Sequence, residues 1–324
     1  MKTLLMLAAA AAATPAPKPF PAPSEIVAAA PAGDWVAIAA ADLLVMDLAP
    51  DAKGKPRRVV IQLMPPPFSQ GWVGNIRKLA AARWWDGTSV NRVQDNYVVQ
   101  WGDATEKKAL PGGLVMVPES DYSLEQSTDV RSFFQMRMKA DEAKLLAAFR
   151  TQGGAEKVRA VSLAIPRDPY ADETGNFNGW PIAKDNKRFW PVHCYGMVGV
   201  GRGMPPDTGT GAELYTVIGH APRHLDRNIA LVGRVISGIE NLSSLSRGTG
   251  PLGFYEKPEE RTGITSMRIG TDVAGLPRFE YLSTESASFA AYADARANRR
   301  DPFFIHPAGG ADICNIPVPV RVVK

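Results

Sequence analysis

Short runs of alternating apolar and polar residues dominate the chain, and they predict a protein built mainly of strands. Residues 42–48 and 57–63 are two such runs, separated by a polar turn around Gly54, and read as paired strands. Trp72, Val73, Ile76, Leu79 and Ala80 recur at three- to four-residue spacing behind Ser69, which predicts an amphipathic helix with Ser69 as its cap. Asp86-Gly87 is a turn signal. Two runs rich in β-formers follow, 88–93 and 97–101, joined by turn chemistry at Gln94-Asp95-Asn96. Strict alternation puts Arg92 on the face of Val90, Tyr97 with Val99, and Val98 with Gln100.

Further along, 131–138 and 158–165 read as strands, 140–150 as a helix ended by Gly153-Gly154, and the Gly/Asn-rich stretch 172–180 as a loop. Residues 195–200, 214–218 and 230–235 predict strands, 201–211 a Gly/Pro loop, and 237–246 a short helix with Ile239, Leu242 and Leu245 inward. Strands at 265–269 and 279–282 and a helix at 284–300, with Phe289, Tyr292 and Ala293 on one side, complete the pattern. Pro317 and Pro319 confine 313–320 to an edge strand or an extended strap. No internal repeat is present.

Composition narrows the function classes. With 324 residues and 45% hydrophobic content the chain can bury a substantial core. The net charge is only +4 and Lys and Arg are scattered, which excludes a concentrated phosphate-binding surface and with it a nucleic-acid partner. Residues 1–13 read as an export signal: Lys2 starts it, an apolar run of about ten residues too short to span a bilayer follows, and Ala11-Ala12-Ala13 offers a cleavage site. Residues 14–34 read as a Pro/Ala-rich linker, unpacked at least to residue 24. The expectation is a protein exported to a periplasm-like space, with no membrane insertion after signal removal. Two cysteines, Cys194 and Cys314, fit such a compartment, either as one disulfide or as two separate buried thiols. His220 and His224 have a spacing that suits zinc on a helix, but Pro222 lies between them and no third ligand follows, so no metal or other cofactor is expected. No Gly-x-Ser-x-Gly or dinucleotide fingerprint occurs, and His193 and His306 read as isolated structural or exposed residues.

Residues 86–103 carry the chemistry. They resemble the catalytic strand pair of the cyclophilin-type peptidyl-prolyl isomerases, written Asp-Gly-Thr-x-Phe-His-Arg-Val, a turn, then Phe-Met-x-Gln-Gly-Gly-Asp. Asp86-Gly87-Thr88, Arg92-Val93, Gln100 and Gly102-Asp103 are kept; Val90-Asn91 stands for Phe-His, Tyr97-Val98 for Phe-Met, and Trp101 for the first Gly. Residues 75–80 resemble the family's Asn-Phe-x-x-Leu helix, His224-Leu225-Asp226 its Leu-Asp turn, and 230–235 its Phe-Gly-x-Val strand. The resemblance covers about 43–245, interrupted by an insert at 104–192. It implies an all-β fold: a closed eight-stranded antiparallel barrel capped by two helices over 35–247, with a C-terminal extension, 248–324, packed on it.

The same resemblance implies an isomerase that assists folding of Pro-containing polypeptide clients. Arg92 is the expected catalytic group, since a guanidinium keeps its charge and can hold the lone pair of a twisted prolyl amide on nitrogen. Tyr97, Val98, Tyr215 and Leu225 would line the proline pocket, with Ile229 where a His is usual. Gln100 would contact the peptide backbone and Gly199 would offer main-chain contacts. Glu213 stands where Gln is usual, placed to pair with Arg92. The competing reading is a catalytically weak or inactive barrel of the same shape that binds Pro-containing peptides or a partner protein.

Overall fold

In the computed structural model, residues 20–125 and 168–323 are described. The expected export signal, the start of the linker, and the strands and helix expected within 131–165 lie outside them. A helix α1 (Pro23–Ala29) and strand β1 (Trp35–Ile38) lead into β2 (Leu43–Leu48) and β3 (Arg57–Leu63). Helix α2 (Gln70–Ala81) follows, then β4 (Ser89–Val93), β5 (Val98–Gly102) and β6 (Leu124–Glu125). After residue 167 come β7 (Glu173–Phe177), β8 (Trp180–Lys184), β9 (Arg188–Pro191), β10 (Met197–Val200), β11 (Leu214–Val217) and β12 (Leu231–Ser237). A single-turn helix α3 (Glu240–Ser243), β13 (Thr262–Ile269), β14 (Phe279–Leu282), helix α4 (Ala287–Ala297) and β15 (Val320–Val322) complete the chain.

Eight strands close a barrel in the order β10-β11-β5-β4-β13-β2-β3-β12, every pairing antiparallel. The fold class is the expected one. β13 alters the boundary: it lies in the stretch assigned to a C-terminal extension, yet it is a stave between β4 and β2, so the barrel does not end at residue 247.

The two faces of β2 and β3 explain why these strands read as almost continuous apolar runs. Leu44, Met46, Leu48, Val59, Ile61 and Leu63 point into the barrel core. Leu43, Val45 and Val60 point outward against Ile38 and Phe279 of the terminal sheet β1-β14-β15. A strand buried on both faces loses its polar alternation. The linker is packed in part: Ile26, Val27 and Ala30 lie against Trp35, Leu282, Phe289 and Tyr292, so from Pro23 onward it is a docked helix rather than a tether.

α2 closes one end of the barrel with the predicted Trp72, Val73, Ile76, Leu79 and Ala80, all buried. Ser69 bounds it but makes no side-chain cap, because its backbone is left-handed (φ 56°). Leu242 and Leu245 enter the core beside α3. The stretch expected to be a loop at 172–180 is instead a hairpin, β7–β8, turned by Asn178-Gly179, both at positive φ. Asn-Gly between apolar runs is a hairpin signal, and the polar residues of β7 masked it. With β6 and β9 this hairpin makes a four-stranded sheet whose Trp180, Ile182, Phe189 and Trp190 join the barrel core.

The C-terminal strap is tied down. Cys194 and Cys314 form a disulfide across 120 residues of sequence, with Cα atoms 5.0 Å apart. Closing a loop of that length removes unfolded-state entropy equivalent to about 4–5 kcal/mol on the chain-entropy model. Beyond the strap, β15 forms one edge of the terminal sheet, pairing with β14 after Pro317 and Pro319.

Candidate active site

The site lies on the outer face of the barrel, where β4, β5 and β11 run side by side. In β5, Val99 and Trp101 face the core while Val98 and Gln100 face out. In β11, Leu214 faces the core while Tyr215 and Val217 face out beside Val98. Strict alternation fails at Arg92. The register slips between Val90 and Arg92, so a bulge at Asn91 leaves Val90 and Val93 in the core and turns Arg92 outward, directly opposite Gln100. An extra residue in one strand is the ordinary way to re-aim a single side chain.

Arg92, Tyr97, Val98, Gln100, Tyr215, Leu225 and Ile229 line one hollow of about 190 Å³. The guanidinium is half-buried at its rim. Its Nε donates to the Leu252 carbonyl at 2.7 Å, one Nη to Gln100 Oε1 at 3.2 Å, and the other Nη to Gln94 Oε1. It lies over the Tyr97 ring at 5.7 Å and the Phe254 ring at 5.2 Å. Burial draws its pKa down from the ordinary value, but a guanidinium stays charged in proteins. Of its five N–H groups these bonds use three, which leaves one on each terminal nitrogen for a guest, among the described residues.

Leu252, whose carbonyl holds Arg92, and Phe254, which lines the hollow, are positions that sequence reasoning missed. They belong to residues 248–255, which run along β4: Gly248 N–H donates to the Val93 carbonyl at 2.9 Å and Tyr255 N–H to the Asn91 carbonyl at 3.0 Å. Gly201 and Arg202 also line the hollow, whereas Gly199 does not. Gly199 sits beside Tyr215 on β10, where a Cβ would fall on the Tyr215 hydroxyl. The glycine at the hollow is Gly201, two residues further along.

Glu213 is not in this hollow and does not pair with Arg92. It lines a second, larger one of about 650 Å³, which shares Gln100, Gly201, Arg202 and Phe254 with the first. Burial pushes the Glu213 carboxyl above its usual value, against hydrogen bonds from the Asp103 main chain, Asn91 and Gln100 that pull it down. Gln100 separates the two charges, accepting from Arg92 and donating toward Glu213. His193, read from sequence as isolated, is fully buried between Asp226 and Tyr215. Only the three-dimensional closeness of 193, 215 and 226 reveals it. Among the described residues no group of three or more His, Cys, Asp or Glu is placed to hold a metal ion, and no helix is long and apolar enough to cross a membrane.

A closed eight-stranded barrel with an arginine-rimmed apolar hollow on its outer face defines a cyclophilin-type fold. Residues 58–269, more than half of the chain, match the family model described as cyclophilin type peptidyl-prolyl cis-trans isomerase/CLD. The chain belongs to that family. A search of curated proteins returned no sequence match. Among solved structures it is similar to the cyclophilin AquaCyp293 from Hirschia baltica, with 20% identity, a TM-score of 0.57, and 89% of this chain and 93% of that chain covered. It also aligns with a Cryptosporidium parvum cyclophilin type peptidyl-prolyl cis-trans isomerase crystallised in the presence of the dipeptide Ala-Pro, at 11% identity and a TM-score of 0.36, over 69% of this chain and 98% of that one.

Proposed function

We propose that the protein catalyses cis–trans isomerisation of X-Pro bonds in polypeptides it meets after export, assisting their folding. The observation that carries this reading is Arg92 aimed along the rim of a hollow whose other walls are Tyr97, Val98, Tyr215, Leu225 and Ile229. Rotation about the amide faces a barrier of about 18–20 kcal/mol because the nitrogen lone pair is delocalised. The apolar walls hold the proline ring, and the remaining Arg92 N–H groups donate toward the prolyl nitrogen as its lone pair localises on twisting. The Gln100 amide faces the acyl side of the guest.

Magnitude assigns the shares. Bringing exchange from tens of seconds to milliseconds needs about 5–6 kcal/mol. A charged hydrogen bond supplies about 1.5–3 kcal/mol net. Arg92 therefore carries up to half, and the fit of the ring in a water-poor hollow carries the rest. Export is supported by the signal-like residues 1–13 and by the Cys194–Cys314 bridge, which suits an oxidising compartment.

The test is exchange spectroscopy on a short X-Pro peptide. The folded protein accelerates exchange, and Arg92→Ala removes most of that acceleration while leaving the melting transition in place. Binding of the peptide without acceleration would instead favour a non-catalytic peptide holder, a reading to which the three hydrogen bonds already held by Arg92 lend some support.

A further inference from the structure

The inner wall of the small hollow is Tyr215, paired in register with Gln100 across β11 and β5. Its ring faces Val98, Leu225 and Ile229, but its hydroxyl leaves that apolar group and lies over Gly199 on the outer face of β10. There it meets His193 Nε2 at 2.9 Å. His193 Nδ1 lies 2.9 Å from Asp226 Oδ1, and that same oxygen accepts the His193 main-chain N–H at 2.9 Å. Asp226 Oδ2 accepts from Arg223 Nε at 2.7 Å, and Arg223 in turn pairs with Asp168 at 2.8 Å and approaches Asp312 at 3.7 Å. Tyr215, His193, Asp226 and Arg223 are all buried.

We propose that His193 and Asp226 are positioning residues for the proline hollow, acting through Tyr215. The roles follow from donor and acceptor accounting. Asp226 is a carboxylate held by Arg223 and can only accept, so His193 carries its proton on Nδ1. In the neutral imidazole Nε2 is then bare and accepts, so the Tyr215 hydroxyl donates to it. Burial, which raises the Tyr215 pKa well above the ordinary value, keeps that hydroxyl protonated. Every rotor in the series is fixed by a partner that is itself fixed. The consequence falls on the hollow. At about 190 Å³ it is on the scale of a cavity that takes one aromatic ring, so a ring released from its anchor can turn into it and fill much of it. Leu225, the residue before Asp226, lines the same hollow, so one turn places both a wall and the anchor of the opposite wall.

This inference rests on the hollow being the peptide site, and its test separates the two ideas. Nitrogen NMR of the folded wild-type protein reads the tautomer directly: His193 protonated on Nδ1 and bare on Nε2. A proton on Nε2 overturns the proposal whether or not the protein is an isomerase, and this measurement needs no variant to fold. Binding of the peptide Ala-Ala-Pro-Phe is then compared for wild type, His193→Gln, Tyr215→Phe and the double variant. Each single change weakens binding about tenfold, the worth of one net hydrogen bond, and the double variant is no weaker than the weaker single. A double variant weaker by the product of the two effects would show independent structural roles and overturn the positioning role, as would unchanged binding by a folded His193→Gln protein. A wild-type protein that binds the peptide but does not speed its exchange would defeat the isomerase reading and leave this one standing.

Discussion

The two hollows on either side of Gln100 are neighbours made of opposite materials. The smaller is walled by Tyr97, Val98, Tyr215, Leu225 and Ile229, with Arg92 at its rim and Arg202 shared with its neighbour. The larger, more than three times its volume, is lined by Asp103, Glu106, Asp207 and Glu213 together with Lys108, Arg202 and Arg261. A narrow apolar notch recognises a ring by fit and excludes water from its rim, where one hydrogen bond to a twisting amide counts for most. A broad hollow of mixed charge admits a solvated chain. Keeping Arg92 from Glu213 is what preserves the difference. The Gln100 amide turns its oxygen to the cation and its nitrogen toward the carboxylate, so each charge has a neutral partner and the guanidinium keeps donors to spare.

The comparison is most directly broken at Arg92. Arg92→Ala should lower kcat/KM on an X-Pro peptide about 100-fold, the upper part of the range for a charged hydrogen bond, while leaving peptide affinity within a few-fold. Arg92→Lys should recover little, since a point charge cannot hold Leu252 and reach the guest together. If instead Glu213→Ala costs more turnover than Arg92→Ala, the chemistry belongs to the larger hollow.

A smaller effect is expected where β5 meets Glu213. A Cβ on residue 102 would overlap the Glu213 carboxylate. Gly102→Ala should destabilise the fold by about 1–3 kcal/mol through overpacking, read as a lower urea midpoint. Part of that loss should return in the Glu213→Ala background, the remainder being the strain of a side chain at the positive φ (155°) of residue 102. No return would mean that the backbone of residue 102, not the carboxylate, demands glycine there.

Legibility in the sequence followed how local each determinant is. The paired runs at β2–β3 and β4–β5 and the stripe of α2 are short-range patterns, legible as strands and a helix, while the barrel they build was implied by family resemblance. Arg92, Tyr97, Val98, Gln100, Tyr215, Leu225 and Ile229 were reached by family resemblance and come together on one face. What stayed hidden depends on non-local packing. The bulge at Asn91 has no signature in a single sequence, and it decides which way Arg92 points. β13 reads as an ordinary strand anywhere in the tail, and only closure of the barrel places it between β4 and β2. Leu252 contributes a carbonyl, which any residue type could supply. His193 looked isolated because Tyr215 and Asp226 are 22 and 33 positions away.

The finest test concerns protonation in the larger hollow. Glu213 has its folded-state pKa raised, chiefly by burial. Over the range from the ordinary carboxylate value up to the folded value, the folded state therefore holds more protons than the unfolded chain, and stability falls as pH rises through that range. Above it the cost of keeping a buried carboxylate charged is fully present. Glu213→Gln removes the titration and with it the slope. The new amide oxygen can still accept from the Asp103 main chain, and once the Asn91 amide turns over, the new nitrogen can donate to Asn91 Oδ1, a buried atom that lacks a partner. The variant should be more stable than wild type at neutral pH, by about 0.5 kcal/mol or a little more, with the gap closing as pH falls from the folded value toward the ordinary carboxylate value. Urea midpoints measured across that range check it. A gap that widens in acid would place the carboxylate in a favourable ion pair, and the separation of the two hollows by Gln100 would then be wrong.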